Sequence, residues 1–200
     1  MANKTIGSIL LATILFTANS FAQKAKEYLD VPGPIVFEKA SYQLDWSSHP
    51  TNNFYKQEYL VKGDISGKYK TMVLMDVLLT DRSVKEIAGD KIAELKKIKE
   101  TNPVVNYEIM DNPASGEYML DFLLTANTVD GKNISIVERN VYRYKTFTDK
   151  TGKKGILLFG VSTRGYGNGI DNFFASLKTN KKSLVDAVAK YNIPAITIIK

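Results

Sequence analysis

The chain has 200 residues, with 27 lysines and arginines against 21 aspartates and glutamates, one histidine and no cysteine, for a formal charge of +6. Without cysteine there is no disulfide, thiolate nucleophile or thiolate metal site, and one imidazole leaves any zinc site dependent on several carboxylates. The lysines are spread as on a solvated surface and no basic aromatic motif accompanies them, which argues against a nucleic-acid partner and supports only weak attraction to an anionic envelope surface.

The first 22 residues read as a secretory leader. Lys4 gives a positive start, Ile6 to Phe16 is an apolar run, and Ser20-Phe21-Ala22 places small residues where a signal peptidase cuts. The run is too short to span a bilayer and no later segment is long enough, so the protein is expected to be no integral membrane protein. No cysteine follows the leader, which excludes lipid attachment through one. The expectation is a chain cut near Ala22 and exported to the periplasm or beyond.

Residues 23–34 carry Val31-Pro32-Gly33-Pro34 and read as an extended arm, because two prolines around a glycine fit neither a helix nor a central strand. Ile35 to Phe37 is a candidate short edge strand. Tyr42, Leu44 and Trp46 alternate with Gln43 and Asp45, and Tyr55, Gln57, Tyr59 and Val61 alternate again after a polar stretch. Tyr69 to Leu79 is apolar on both faces, as in a central strand covered from two sides. The period then changes. Ser83-Val84-Lys85-Glu86 fits a capping box, and Val84, Ile87, Ala88, Ile92, Leu95 and Ile98 recur at helical steps until Asn102-Pro103.

Strands are expected over Val104 to Met110, Glu117 to Asn127, Ile134 to Thr148 and Gly155 to Thr163, with Asp130-Gly131 marking a hairpin. Ile170, Phe173, Phe174 and Leu177 form one helical stripe and Leu184, Val185 and Val188 a second. Thr179-Asn180-Lys181-Lys182 is a candidate break between two helices, with Asn180 capping the second. Pro194 stops the helix, leaving Ala195 to Ile199 as a tail able to pair at a sheet edge. The expected fold is α+β: an antiparallel sheet of about six to seven strands flanked by helices, one sandwich domain over residues 35–200.

This order of elements resembles the fold shared by the photosystem II extrinsic protein PsbP and the Ran-binding protein Mog1. The resemblance covers most of the chain after the leader and rests on no diagnostic motif. It implies a protein-binding or assembly factor rather than an enzyme, and it transfers no functional residue. Tyr55-Lys56-Gln57-Glu58-Tyr59 also looks like a phrase found in uncharacterised exported bacterial proteins.

Several constellations bear on chemistry. Trp46 to Tyr59 holds the only tryptophan and the only histidine, His49, together with Phe54, Tyr55 and Tyr59. It reads as a loop between two strands, aromatic on its flanks, with Lys56 and Glu58 at its rim. Ser47, Ser48 and His49 lie beside Asp45, but a base must approach its nucleophile from a separate direction, and neighbours in sequence rarely do so. Ser115 or Ser162 is a more distant alternative nucleophile for His49. Asp64, Asp130 and Asp149 lack the oxygen spacing of a calcium loop and suit turns. Asp76 and Asp121 sit inside apolar strands, as a close carboxylate pair with one raised pKa, as groups exposed at a strand edge, or as carboxylates salt-bridged to Arg139 or Arg143. Arg164, Gly165, Gly167 and Gly169 are a possible anion contact at a helix start, although the spacing matches no nucleotide motif.

No cofactor and no metal are implied. The reading that follows is an exported, non-enzymatic binding or assembly protein contacting a protein or envelope component through Trp46 to Tyr59. Its alternative is a small-ligand carrier or hydrolase with a pocket between sheet and helices.

Overall fold

The computed structural model describes residues 25–31 and 33–199. The leader expected over residues 1–22 lies outside them, as do Gln23, Lys24 and Pro32 of the arm. The described residues form an α+β fold with one antiparallel sheet and two helices. In chain order these are β1 (Ile35–Phe37), β2 (Ala40–Thr51), β3 (Phe54–Val61), β4 (Thr71–Leu79) and α1 (Val84–Lys99). There follow β5 (Asn106–Asn112), β6 (Glu117–Asn127), β7 (Ile134–Thr148), β8 (Lys154–Tyr166) and α2 (Ile170–Lys190).

The sheet has eight strands in the order β1-β2-β3-β4-β8-β7-β6-β5. From β4 at the centre, α1 carries the chain to the far edge, and β5 to β8 return as a meander until β8 pairs with β4 from Thr71↔Thr163 to Leu79↔Gly155. Each helix therefore lies on one face of the sheet, and β4 is apolar on both faces because both are covered. Val73, Met75 and Val77 point into the cluster under the C-terminal half of α2. Met72 and Leu74 point into the cluster under α1.

The eighth strand is β1, the candidate edge strand at Ile35 to Phe37, which takes the sheet beyond the expected six to seven. Ile35 and Phe37 are buried, and the turn to β2 uses Glu38 and Lys39, both at positive φ (45° and 70°). Residues with a Cβ rarely adopt that conformation, and neither residue signals a tight turn in sequence.

The capping box of α1 forms: the Ser83 backbone N–H donates to Glu86 Oε2 at 2.8 Å and Glu86 N–H to Ser83 Oγ at 3.3 Å. The break expected at Thr179 to Lys182 does not occur, since α2 is one continuous helix. Those four residues are exposed and stay helical because lysine is a good helix former there. Beyond α2, Thr197 N–H and Ile199 N–H donate to the carbonyls of Leu29 and Tyr28. The tail thus pairs with the N-terminal arm rather than with a strand, and the arm and tail together cover the open part of the α2 face.

Candidate functional site

The stretch Trp46 to Tyr59 is not a loop. β2 continues to Thr51 and β3 begins at Phe54, so only Asn52 and Asn53 lie between them. Pro50 is tolerated within β2 because β1 pairs with β2 only from Ala40 to Tyr42, and further along the outer edge needs no backbone donor. Asn53 Nδ2 donates to the Leu79 carbonyl at 3.2 Å and fixes the turn against the end of β4.

Strand alternation then divides the expected contact residues between two faces. Tyr55 and Tyr59, 7% and 1% exposed, point into the core beneath the arm and α2, so they are core residues and not a contact surface. His49 stacks on Tyr55 with ring centroids 4.1 Å apart and lies near Tyr28. Its Nδ1 is 2.9 Å from the Phe54 carbonyl, a contact that requires the proton on that nitrogen. Ser47 Oγ accepts from Lys26 N–H. Ser162 is buried and donates to Asn140 Oδ1, and Ser115 lies in the β5–β6 turn at the far edge of the sheet. The residues gathered around His49 thus build no relay.

Trp46, Lys56 and Glu58 emerge on the opposite face, the one that α1 covers in part. Trp46 is registered with Glu58, Lys56 with Asp76, and Glu58 with Leu74, which belongs to the α1 cluster. A register shift between Leu44 and Trp46 re-aims the tryptophan, which remains 37% exposed. Phe54 is half-buried in the next position along, with the Lys56 ammonium 5.4 Å from its ring centroid.

Between this surface and α1 lies a layer of charge. Lys56 Nζ is 3.1 Å from Asp76 Oδ2. Lys91, on the buried side of α1 and only 5% exposed, is 3.1 Å from Glu94 and 5.3 Å from the Phe122 ring centroid. Arg164 pairs with Glu138 and stacks over Tyr69 at 4.2 Å. Glu138 is fully engaged, since Tyr69 Oη and Asn140 Nδ2 donate to it as well, each at 2.9 Å. Asp76 Oδ1 is buried without a partner among the described residues, and burial raises the Asp76 pKa while Lys56 opposes the rise. Burial lowers the Lys91 pKa against the opposing pull of Glu94.

Glu58 is the exception in this layer. Among the described residues its carboxylate makes no side-chain hydrogen bond and no ion pair within 4.0 Å. Burial, reinforced by Asp76, pushes its pKa up to about 7, while Lys56 and Arg164 pull the other way. A raised value means that the folded state holds the proton more tightly than the unfolded chain. The stability tied to this proton is complete below about pH 4 and is lost as pH rises through about 7. Glu58→Gln keeps the shape and removes the charge. It is expected to stabilise the protein by about 2–3 kcal/mol at pH 8 and to change little at pH 4, read by urea unfolding at both values. Equal effects at the two pH values would contradict this assignment.

Asp76 and Asp121 lie in the same sheet but on opposite faces. Asp121 is held by Arg139 through two bonds of 2.9 Å on the α2 side, so the two carboxylates form no dyad. Arg143 pairs with Glu117 instead. Asp64, Asp130 and Asp149 accept from backbone N–H groups in their turns. Among the described residues no cluster of three or more His, Asp or Glu is arranged to hold a metal. Nor do the residues of the expected anion contact converge. Arg164 faces α1, whereas a Cβ on Gly165 would lie 2.9 Å from Phe173 Cβ on the α2 side. Gly165 is needed where α2 presses on β8, and Gly167, at φ +47°, turns the chain into that helix.

Fold and site together define an α+β protein whose sheet carries a charged layer beneath one helix. One protein-family model matches residues 29–193, and the chain belongs to that family. No curated protein matches the chain closely enough to count as a relative. No helix among the described residues is long and apolar enough to cross a membrane.

Proposed function

We propose that the protein is an exported binding or assembly protein that meets a protein or envelope component through the β2–β3 hairpin. The carrying observation is Trp46, the only tryptophan of the chain, set on an outer strand with over a third of its surface in water. Tryptophan supplies more contact area than any other side chain and is enriched where interfaces concentrate their energy. Beyond Tyr42 the outer edge of β2 has no partner strand among the described residues, so backbone groups are free for a partner beside the aromatic surface. The likeness in element order to the PsbP and Mog1 group supports the same class of function. Export rests on the leader, with cleavage near Ala22.

A small-ligand carrier or hydrolase is the second reading, favoured by Glu58, whose carboxyl titrates in the range useful to a general acid or base. It calls for a pocket at that carboxyl. Two hollows lie away from it, one of about 100 Å³ beside Met110 and Glu117 and one of about 270 Å³ beside Phe147 and Ile196.

Trp46→Ala separates the two readings. It removes a partly exposed side chain, so stability is expected to change by no more than about 1–2 kcal/mol. Cross-linked recovery of the envelope partner from the native host is expected to fall about tenfold or more. Undiminished recovery by a folded variant would reject the binding reading.

A further inference from the structure

Among the described residues the charged layer contains four carboxylates and three cations. Lys56 pairs with Asp76, Lys91 with Glu94, and Arg164 with Glu138. Each cation has its own counter-ion, and Glu58 is left over. An unpaired, half-buried carboxylate is costly to keep ionised, which is the reason its pKa rises to about 7. Directly across the strand pair stands Trp46, with Cβ atoms of opposed residues about 5 Å apart in such a ladder. An indole face beside a lone carboxylate is complementary to one kind of group: a cation that salt-bridges the carboxylate and lies against the ring.

We infer that Trp46 and Glu58 form a receptor for a single cationic side chain, a lysine ammonium or an arginine guanidinium presented by a partner polypeptide. This inference rests on the binding function proposed above and specifies the chemistry of the partner. The cation completes the fourth ion pair of the layer, and the three pairs behind Glu58 keep Lys56 and Arg164 from neutralising it internally. The partner's basic residue enters from the side of β2, where α1 does not reach, and the free edge of β2 aligns the segment that carries it.

Because the chain has one tryptophan, its fluorescence reports on this receptor without a label. The probes are acetyl-Gly-Arg-Gly-amide and the peptide in which citrulline replaces arginine, of the same shape but neutral. At pH 8, with Glu58 ionised, the arginine peptide is expected to change Trp46 emission saturably and the citrulline peptide at least about tenfold more weakly. Glu58→Gln, which keeps the side-chain shape, is expected to remove that preference with the far-UV spectrum unchanged. The preference is also expected to fade below about pH 6, as Glu58 takes up a proton. His49→Asn serves as the background, since it removes the only imidazole of the chain, and the preference is expected to persist there. Equal response to the two peptides, or an arginine preference that survives Glu58→Gln, would overturn the inference. Such a failure leaves the Trp46→Ala recovery experiment unaffected, so the receptor and the wider binding function fail separately.

Discussion

Asp121→Ala is expected to lower the unfolding free energy by about 3–5 kcal/mol, among the largest effects of any single side chain in this protein. Asp121 and Arg139 are each no more than 5% exposed and meet through two parallel hydrogen bonds of 2.9 Å. The guanidinium also donates to the Lys181 carbonyl of α2, so the pair ties the outer sheet to the middle of that helix. Without Asp121, the Arg139 guanidinium stays buried with, among the described residues, one carbonyl left to it. The cost comes from the stranded ion more than from the lost attraction. Accordingly Asp121→Leu with Arg139→Met is expected to recover most of the loss, since removing both charges leaves nothing unpaired. Urea unfolding, with a slope of about 2 kcal/mol per molar, would show the single variant as a midpoint lower by about 1.5–2.5 M. A single variant within about 1 kcal/mol of the parent would mean that water reaches this pair.

Phe159→Ala is expected to cost a similar amount, about 3–5 kcal/mol, by a different route. Phe159 lies on β8 at the centre of the sheet and is fully buried. Its ring stacks on Tyr191 at 4.5 Å with planes 11° apart and tilts toward Phe37 at 6.1 Å. One side chain thus joins the sheet centre, the end of α2 and the edge strand β1. These neighbours belong to separate elements held in place by the ring itself, so the cavity left by truncation collapses poorly. The expected signature is a lower unfolding midpoint together with faster amide exchange in residues 191–198. Phe159→Leu, which retains much of the volume, should cost less than half as much. Equal losses for the two variants would show that packing volume is not what the ring supplies.

Where local chemistry decides the structure, the residues announce it. The capping box at Ser83, the two-faced apolar pattern of β4 on either side of Asp76 and the hairpin at Asp130-Gly131 are all legible within a few residues, and all three stand in the fold. What sequence could not supply depends on partners far along the chain. The strand from Tyr55 is legible by its alternation, but the polar run Ser47 to Phe54 before it looks like a loop until β4 is seen to pair with Phe54 to Leu60 and extend the hairpin to its tip. The continuity of α2 through Lys181 is supported by a bond from Arg139, 42 residues earlier. The charged layer did leave one signal. Lys91 falls at a stripe position of α1, between Ile87 and Leu95, where a helix facing a core should be apolar. A charge at that position requires a counter-ion close by, which Glu94 supplies three residues further along the same helix. Lys56, Glu58 and Arg164 were each legible as polar candidates, but only the register of β3, β4, β7 and β8 places them on one face.

We propose that this protein meets its partner at the surface around Trp46. Site-specific photo-cross-linking in the native host tests this with Trp46 kept and a benzophenone side chain placed at position 48, two residues along β2 on the same face, and, as a control, at the fully exposed Val129 in the β6–β7 loop. The predicted result is a discrete cross-linked product from position 48, absent from position 129 and diminished when Glu58→Gln is introduced beside the probe. No discrete product from position 48, or the same product from both positions, would contradict it.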